Sequence, residues 1–121
     1  MKGLGEHILI EYNNCNNETL NNSALLEELL LKAAEIANAT VVKSVFHNFS
    51  PFGVTGVVVV EESHFSIHTW PEHSYAAVDM FTCSDKMNYK EAEVYLKEVL
   101  ESQNSSSKLV VRGEGVTEKM P

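Results

Sequence analysis

Cysteine is scarce in this chain, with only Cys15 and Cys83 among 121 residues. Two are too few for a disulfide framework or a four-cysteine zinc site. Basic residues are scarce too, 9 against 17 acidic, for a net charge of -8. Phosphate binding wants a basic face, so nucleic acid is not expected as a partner. A cationic substrate is compatible, because an acidic surface attracts it weakly. No apolar run approaches the ~18 residues of a transmembrane helix, which argues against a membrane partner. The opening segment, Met1 to His7, is too polar for a signal peptide, and the expected location is cytoplasmic. In that compartment a structural disulfide is not expected. There is no internal repeat, and the only biased stretch is the asparagine-rich segment 13–22.

What remains is an ordinary globular balance, 44% hydrophobic and 21% charged, at a length that suits one domain spanning 1–121. His7 to Tyr12 partly alternates and reads as a strand. Ser23 reads as a helix N-cap, followed by apolar spacing at Leu26, Leu29, Leu30, Ala33, Ala34 and Ala37 that predicts a helix to about Asn38. Thr40 to Phe49 is β-branched and aromatic, which predicts a strand. Ser50 to Gly53 reads as a turn. Val54 to Glu61 is a second long strand, with Val57 to Val60 apolar enough to be buried on both faces. Further strands are expected at His64 to Trp70, Tyr75 to Thr82 and Leu109 to Arg112, with a second helix over Tyr89 to Glu101. The tail from Gly113 to Pro121 reads as loose. This order predicts an α+β fold, an antiparallel β-sheet with two helices packed on one face. The other face would stay uncovered, and its use for dimerisation is the natural expectation.

The segment that can carry chemistry runs from Val60 to Glu72 and on to Cys83. It holds a serine, nearby histidines, paired carboxylates and a cysteine. His64 and His68 share strand parity and could form a metal site with His73 and Cys83. Their spacing matches no standard zinc pattern, so no metal is expected. A hydrolase using Ser63 or Cys83 lacks a Gly-x-Ser-x-Gly elbow. The plainest reading is a half-buried strand with polar residues on its wet side, and Cys83 alone reads as a small strand-end residue.

Glu-Ser-His-Phe-Ser-Ile-His-Thr-Trp-Pro-Glu at 62–72 and Tyr-Ala-Ala-Val-Asp-Met-Phe-Thr-Cys at 75–83 closely resemble the short prokaryotic pyruvoyl-dependent S-adenosylmethionine decarboxylases. The likeness extends to Gly5 and His7, to Thr-Val-Val-Lys-Ser-Val-Phe-His-Asn-Phe at 40–49 and to Pro-Phe-Gly-Val-Thr-Gly at 51–56. It covers roughly residues 1 to 100.

The resemblance implies a proenzyme that cuts itself between Glu62 and Ser63 into 1–62 and 63–121. Ser63 would become a covalent pyruvoyl group that forms a Schiff base with the substrate amine and withdraws electrons as CO2 leaves. His68 would be the processing base, assisted by Thr55, where relatives carry serine. Cys83 would be the acid that protonates the product carbanion. Phe49 and Trp70 would stack on the adenine, and Glu72 would accept from the ribose hydroxyls. Further departures from the family pattern are Glu6, where a basic residue is common, and Ser84, where glycine is common. The implied product is decarboxylated S-adenosylmethionine, an aminopropyl donor for spermidine and other polyamines. Alternative readings are a relative that decarboxylates arginine or ornithine, and a paralogue that no longer cleaves.

Strand geometry adds a constraint. Ser63 and His68 are five residues apart, about 16 Å in a regular strand, and an odd spacing points them to opposite faces. Nothing between them, His64 to Ile67, supplies a glycine or proline for a sharp bend. The expectation is therefore a homodimer with shared active sites, in which Thr55 and His68 serve Ser63 of the other chain.

Overall fold

A computed structural model describes residues 3–116. Six strands, β1 (Gly5–Asn13), β2 (Val41–Asn48), β3 (Val54–Val60), β4 (Ser63–Trp70), β5 (Tyr75–Thr82) and β6 (Asn104–Arg112), form one sheet in the order β2-β3-β4-β5-β1-β6. Every neighbouring pair is antiparallel. The two long helices, α2 (Ser23–Ile36) and α3 (Tyr89–Val99), contact each other and the sheet, α2 against β2 and β3 and α3 against β1. A short helix, α1 (Asn17–Leu20), precedes them inside the asparagine-rich segment. The α+β antiparallel architecture is thus the one the sequence implies.

Alternation explains how the core forms. Ile8, Ile10, Val58, Phe65, Ile67 and Met80 all point to the helix side and are buried. They meet Leu26, Leu30, Ala33 and Ala34 of α2 and Ala92 and Leu96 of α3. The small alanines let α2 approach closely, and the burial of long side chains around them supplies the main stabilisation. The opposite face carries no helix. Leu9 is 38% exposed there, Val59 43% and Val45 62%.

Local details depart from the sequence reading. The cap of α2 is Asn22, whose side chain accepts from the Leu25 N–H, and Ser23 is already helical. Asn38 ends the helical region in the left-handed conformation at φ 65°, which asparagine tolerates. Val57 to Val60 is not buried on both faces: Val58 and Val60 are, but Val59 faces the helix-free side. The last strand begins at Asn104 instead of Leu109. Of the tail expected to be loose, 117–121 lies outside the described residues.

One packing contact fixes the β2–β3 hairpin that carries part of the site. Phe46 lies opposite Gly56, and a Cβ at Gly56 would come within 2.0 Å of the Phe46 ring. Gly56→Ala must displace the ring, and such overpacking costs about 1–3 kcal/mol. A lowered denaturant midpoint is the expected result.

Candidate active site

β4 pairs with β3 from Ser63 to His68 and with β5 from Ser63 to Trp70 without a register shift, its first residue Ser63 having φ 158°. The chain does not bend between Ser63 and His68, so the two stand at opposite ends of a strand and in opposite side-chain rows. The sequence-derived residues accordingly fall into two groups.

The first group surrounds the turn from β3 to β4. Glu61 donates its N–H to the Thr40 carbonyl at 2.9 Å, and the Glu62 carboxylate accepts from the Thr40 N–H at 3.0 Å. The carbonyl of Glu62 accepts from the Cys83 N–H at 3.0 Å. That bond pins the bond between Glu62 and Ser63 beside Cys83, whose side chain is exposed. Ser63 pairs with Thr82 across the strands. Thr82 is nearly fully buried, and its hydroxyl accepts from the Ser84 N–H at 2.9 Å. The Ser84 hydroxyl in turn accepts from the Lys86 N–H at 3.1 Å, so serine at this position closes the turn after Cys83. Glu6 lies on the other side of Thr82, two strands from Ser63.

The second group lines a cleft of about 220 Å³ at the far end of β4, formed by Phe49, Phe52, Gly53, Val54, Thr55, His68, Thr69, Trp70 and Glu72. Register places Thr55 opposite His68, and the Thr55 hydroxyl lies 3.1 Å from His68 Nδ1. The threonine hydroxyl is thus within hydrogen-bond reach of the imidazole. Val54, at the cleft floor, donates its N–H to the Thr69 hydroxyl at 2.9 Å. That hydroxyl donates to the Leu20 carbonyl at 2.7 Å, tying the cleft to the end of α1.

Two aromatic rings stand at the cleft mouth, Phe49 being 49% and Trp70 41% exposed. Each is backed by a second ring. Trp70 stacks on Tyr75, with centroids 5.3 Å apart and planes inclined by 29°. Phe49 meets His47 edge-on at 4.6 Å. The Tyr75 hydroxyl donates to Glu11 at 2.6 Å, and burial together with that bond pushes its pKa up to about 12. The hydroxyl thus keeps its proton at neutral pH and holds the ring under Trp70.

All five residues expected to bind substrate or assist processing at this end, Phe49, Thr55, His68, Trp70 and Glu72, line one cleft. Glu62, Ser63 and Cys83 do not belong to it. Sequence reasoning missed Phe52, Gly53, Val54 and Thr69 in the lining and Tyr75 and His47 behind the rings. Phe52 sits inside a segment already singled out, so it was within reach. The volume is below the ~300–1,000 Å³ usual for a small-molecule site. The weighed zinc set does not assemble: His64 and His68 share a face, but His68 lies in the cleft, and Cys83 is beside the β3–β4 turn.

The two cysteines differ sharply. Cys15 is buried, its thiol bonded to the Tyr12 carbonyl, and burial raises its pKa. Cys83 is exposed. Since the thiolate is the nucleophile, a brief iodoacetamide treatment of the folded protein should alkylate Cys83 and spare Cys15, as read by peptide mass spectrometry. Equal labelling of both would contradict this assignment.

Among the described residues no helix is long and apolar enough to cross a membrane. The sequence model of the S-adenosylmethionine decarboxylase family matches residues 6–113, and the chain belongs to that family. The S-adenosylmethionine decarboxylase proenzyme of Thermosipho africanus is 48% identical over 125 aligned residues, covering all of this chain and 96% of the relative. The crystal structure of the adenosylmethionine decarboxylase from Aquifex aeolicus superposes with a TM-score of 0.87 at 36% identity, covering 100% of this chain and 99% of that one. The Trypanosoma brucei AdoMetDC-delta26 monomer, at 16% identity and a TM-score of 0.61, shares the fold alone over 45% of its length.

Proposed function

We propose that this chain cuts itself between Glu62 and Ser63 and, in the cut form, decarboxylates S-adenosylmethionine using a pyruvoyl group derived from Ser63. The observation that carries the reading is the hydrogen bond from the Cys83 N–H to the Glu62 carbonyl. It polarises the one carbonyl that must be attacked, and it holds the acid of this reading, Cys83, beside the residue that becomes the cofactor.

Processing follows from these atoms. The Ser63 hydroxyl attacks the Glu62 carbonyl carbon and the amide becomes an ester, with the former amide nitrogen now a free amine on Ser63. The negative charge that develops on the carbonyl oxygen is met by the Cys83 N–H, a small oxyanion site. A base then removes the α-proton of Ser63, and the Glu62 carboxylate leaves from Cβ. The dehydroalanine that remains takes up water and releases ammonia, giving the pyruvoyl end of 63–121 and a free carboxylate on 1–62. His68 is the base in this reading, with Thr55 orienting its ring, and the base for each Ser63 comes from the partner subunit.

Several features support a shared site. The straight β4 leaves Ser63 about 16 Å from its own His68. The helix-free face carries Leu9, Val45 and Val59 in the open. A two-fold axis passing by the middle of β4 would stack the face on itself and bring the Ser63 end of one strand to the cleft end of the other. Each cleft, small by itself, would gain its missing wall.

The residues present fit the cofactor: a serine at the turn, a carbonyl already polarised and an exposed thiol alongside. When formed, the group supplies an electrophilic carbonyl and an electron sink for decarboxylation. Cys83 gives a proton to the substrate Cα after CO2 departs. Phe49 and Trp70 hold the adenine by their faces, which also favour the nearby sulfonium cation. Glu72 accepts from both ribose hydroxyls.

A substrate panel tests this. CO2 release from S-adenosylmethionine should far exceed that from arginine or ornithine, and a preference for a free basic amino acid would overturn the substrate assignment. Glu72→Gln should raise KM without a matching fall in kcat. Losing a hydrogen bond to a charged acceptor costs about 1.5–3 kcal/mol, hence roughly 10- to 100-fold in KM.

A further inference from the structure

On the helix-free face, one register position along from Ser63, Thr82 and Glu6, three side chains from three adjacent strands converge: His7 on β1, Asp79 on β5 and His64 on β4. The two histidines flank Phe81, one pairing with it from each side, and Asp79 stands two residues further along β5. One nitrogen from each ring and one carboxylate oxygen lie within 4.8 Å of one another. The geometry points to a binding site for one divalent transition-metal ion of the zinc class, held by His7, His64 and Asp79.

The distances suit an ion better than a hydrogen-bonded triad. His7 Nε2 lies 3.5 Å and His64 Nε2 3.6 Å from the same oxygen, Oδ1 of Asp79. Ligands at about 2.1 Å around a tetrahedral zinc are separated by about 3.4 Å, so these two edges are already near the length an ion requires. As it stands, His7 Nε2 is buried and has no hydrogen-bond partner, its approach to Asp79 Oδ1 being 3.5 Å. A buried ring nitrogen left so needs an explanation, and a lone pair aimed at an ion supplies it.

The surroundings also match those of a metal centre. The Ser66 hydroxyl donates to Asp79 Oδ1 at 2.8 Å, fixing the carboxylate from outside the ligand set. The Phe81 ring lies 5.4 Å from the His7 ring and 5.8 Å from the His64 ring, an apolar wall beside both imidazoles. Two imidazoles and one carboxylate favour zinc, cobalt or nickel over magnesium or calcium, which prefer oxygen alone. Three protein ligands leave a position for water or for a group from whatever covers the face. The ligand set includes neither Ser63 nor a cleft residue, so metal binding is read independently of decarboxylation.

The test uses the full chain, stripped by chelator and titrated with Zn²⁺ by calorimetry and with Co²⁺ by visible absorption. The expected result is one tight ion per chain, a cobalt spectrum without a thiolate charge-transfer band, and a zinc-dependent rise in Tm. His7→Gln and Asp79→Asn should each weaken Zn²⁺ binding by more than ~100-fold, and Ser66→Ala by about 10-fold. Circular dichroism of each metal-free variant separates loss of the site from loss of the fold. His68→Gln, outside the set, should bind as the parent does, which excludes the cleft histidine as the ligand. Absence of tight binding in the folded parent, binding that survives His7→Gln and Asp79→Asn, or a thiolate band implicating Cys83 would each overturn the proposal.

Discussion

Ser63→Ala leaves a single uncut chain that releases no CO2 from S-adenosylmethionine, whereas the parent runs as two bands on a denaturing gel, with the second fragment blocked at its N-terminus. Alanine removes only the hydroxyl. Position 63 pairs with Val60 and Thr82 through the backbone, so the strand and its registers should survive. What disappears is the nucleophile that turns the amide into an ester, and with it the source of the cofactor. The expected loss is therefore complete, unlike the ~10²–10⁴-fold that removing a general acid or base costs. Mass spectrometry of the intact protein reads the outcome directly. An active parent that remains one chain would end the proposal.

The second large effect is complementation. Ser63→Ala and His68→Ala should each stay uncut when expressed alone, one lacking the nucleophile and the other the base. Co-expressed with different tags and isolated as the mixed dimer, they should cut. In that dimer one site combines an intact Ser63 with an intact His68 from the other chain, and the second site has neither. Half of the chains at most can be processed, namely those carrying His68→Ala. The basis is the uninterrupted β4 ladder, which holds the two residues apart within a chain. Mixed dimers that remain uncut, or a parent that processes as a monomer in ultracentrifugation, would mean that some other group in the same chain takes the proton.

Much of this was legible in the sequence, and what was not has identifiable physical causes. Alternation gave the central strands because one face of the sheet packs on helices and the other does not. The same rule misled at Val57 to Val60, where β-branched residues on the open side looked like core. Val59 is apolar yet exposed, which a sequence cannot express without knowing what covers the sheet. The first half of the last strand is silent in the sequence because Ser105, Ser106 and Ser107 carry no hydrophobic signal, although they pair with β1 as regularly as Leu109 does. Ser23 and Asn22 are both good cap residues, and only geometry shows that Asn22 is the one that caps α2.

The cleft residues were named through family likeness, but their assembly depends on register. Thr55 and His68 are 13 apart in sequence, and only the pairing of β3 with β4 makes them neighbours. His7, His64 and Asp79 lie in three separate strands, and their meeting rests on β1 inserting beside β5, a non-local choice that no spacing announces.

The strand order has a consequence for what the proposed scission would do to the molecule. A break after Glu62 assigns β1, β2 and β3 to one piece and β4, β5 and β6 to the other. In the sheet these are interleaved, with β1 lying between β5 and β6 and β3 lying against β4. Pulling the pieces apart means tearing three ladders at once, so the cut molecule should travel as one particle under native conditions. Denaturation changes that: two strangers must then find each other by diffusion, and renaturation becomes concentration-dependent where the uncut precursor's is not. A chain cut in this way would mature only once, and its assembly would have to be finished before its backbone is opened.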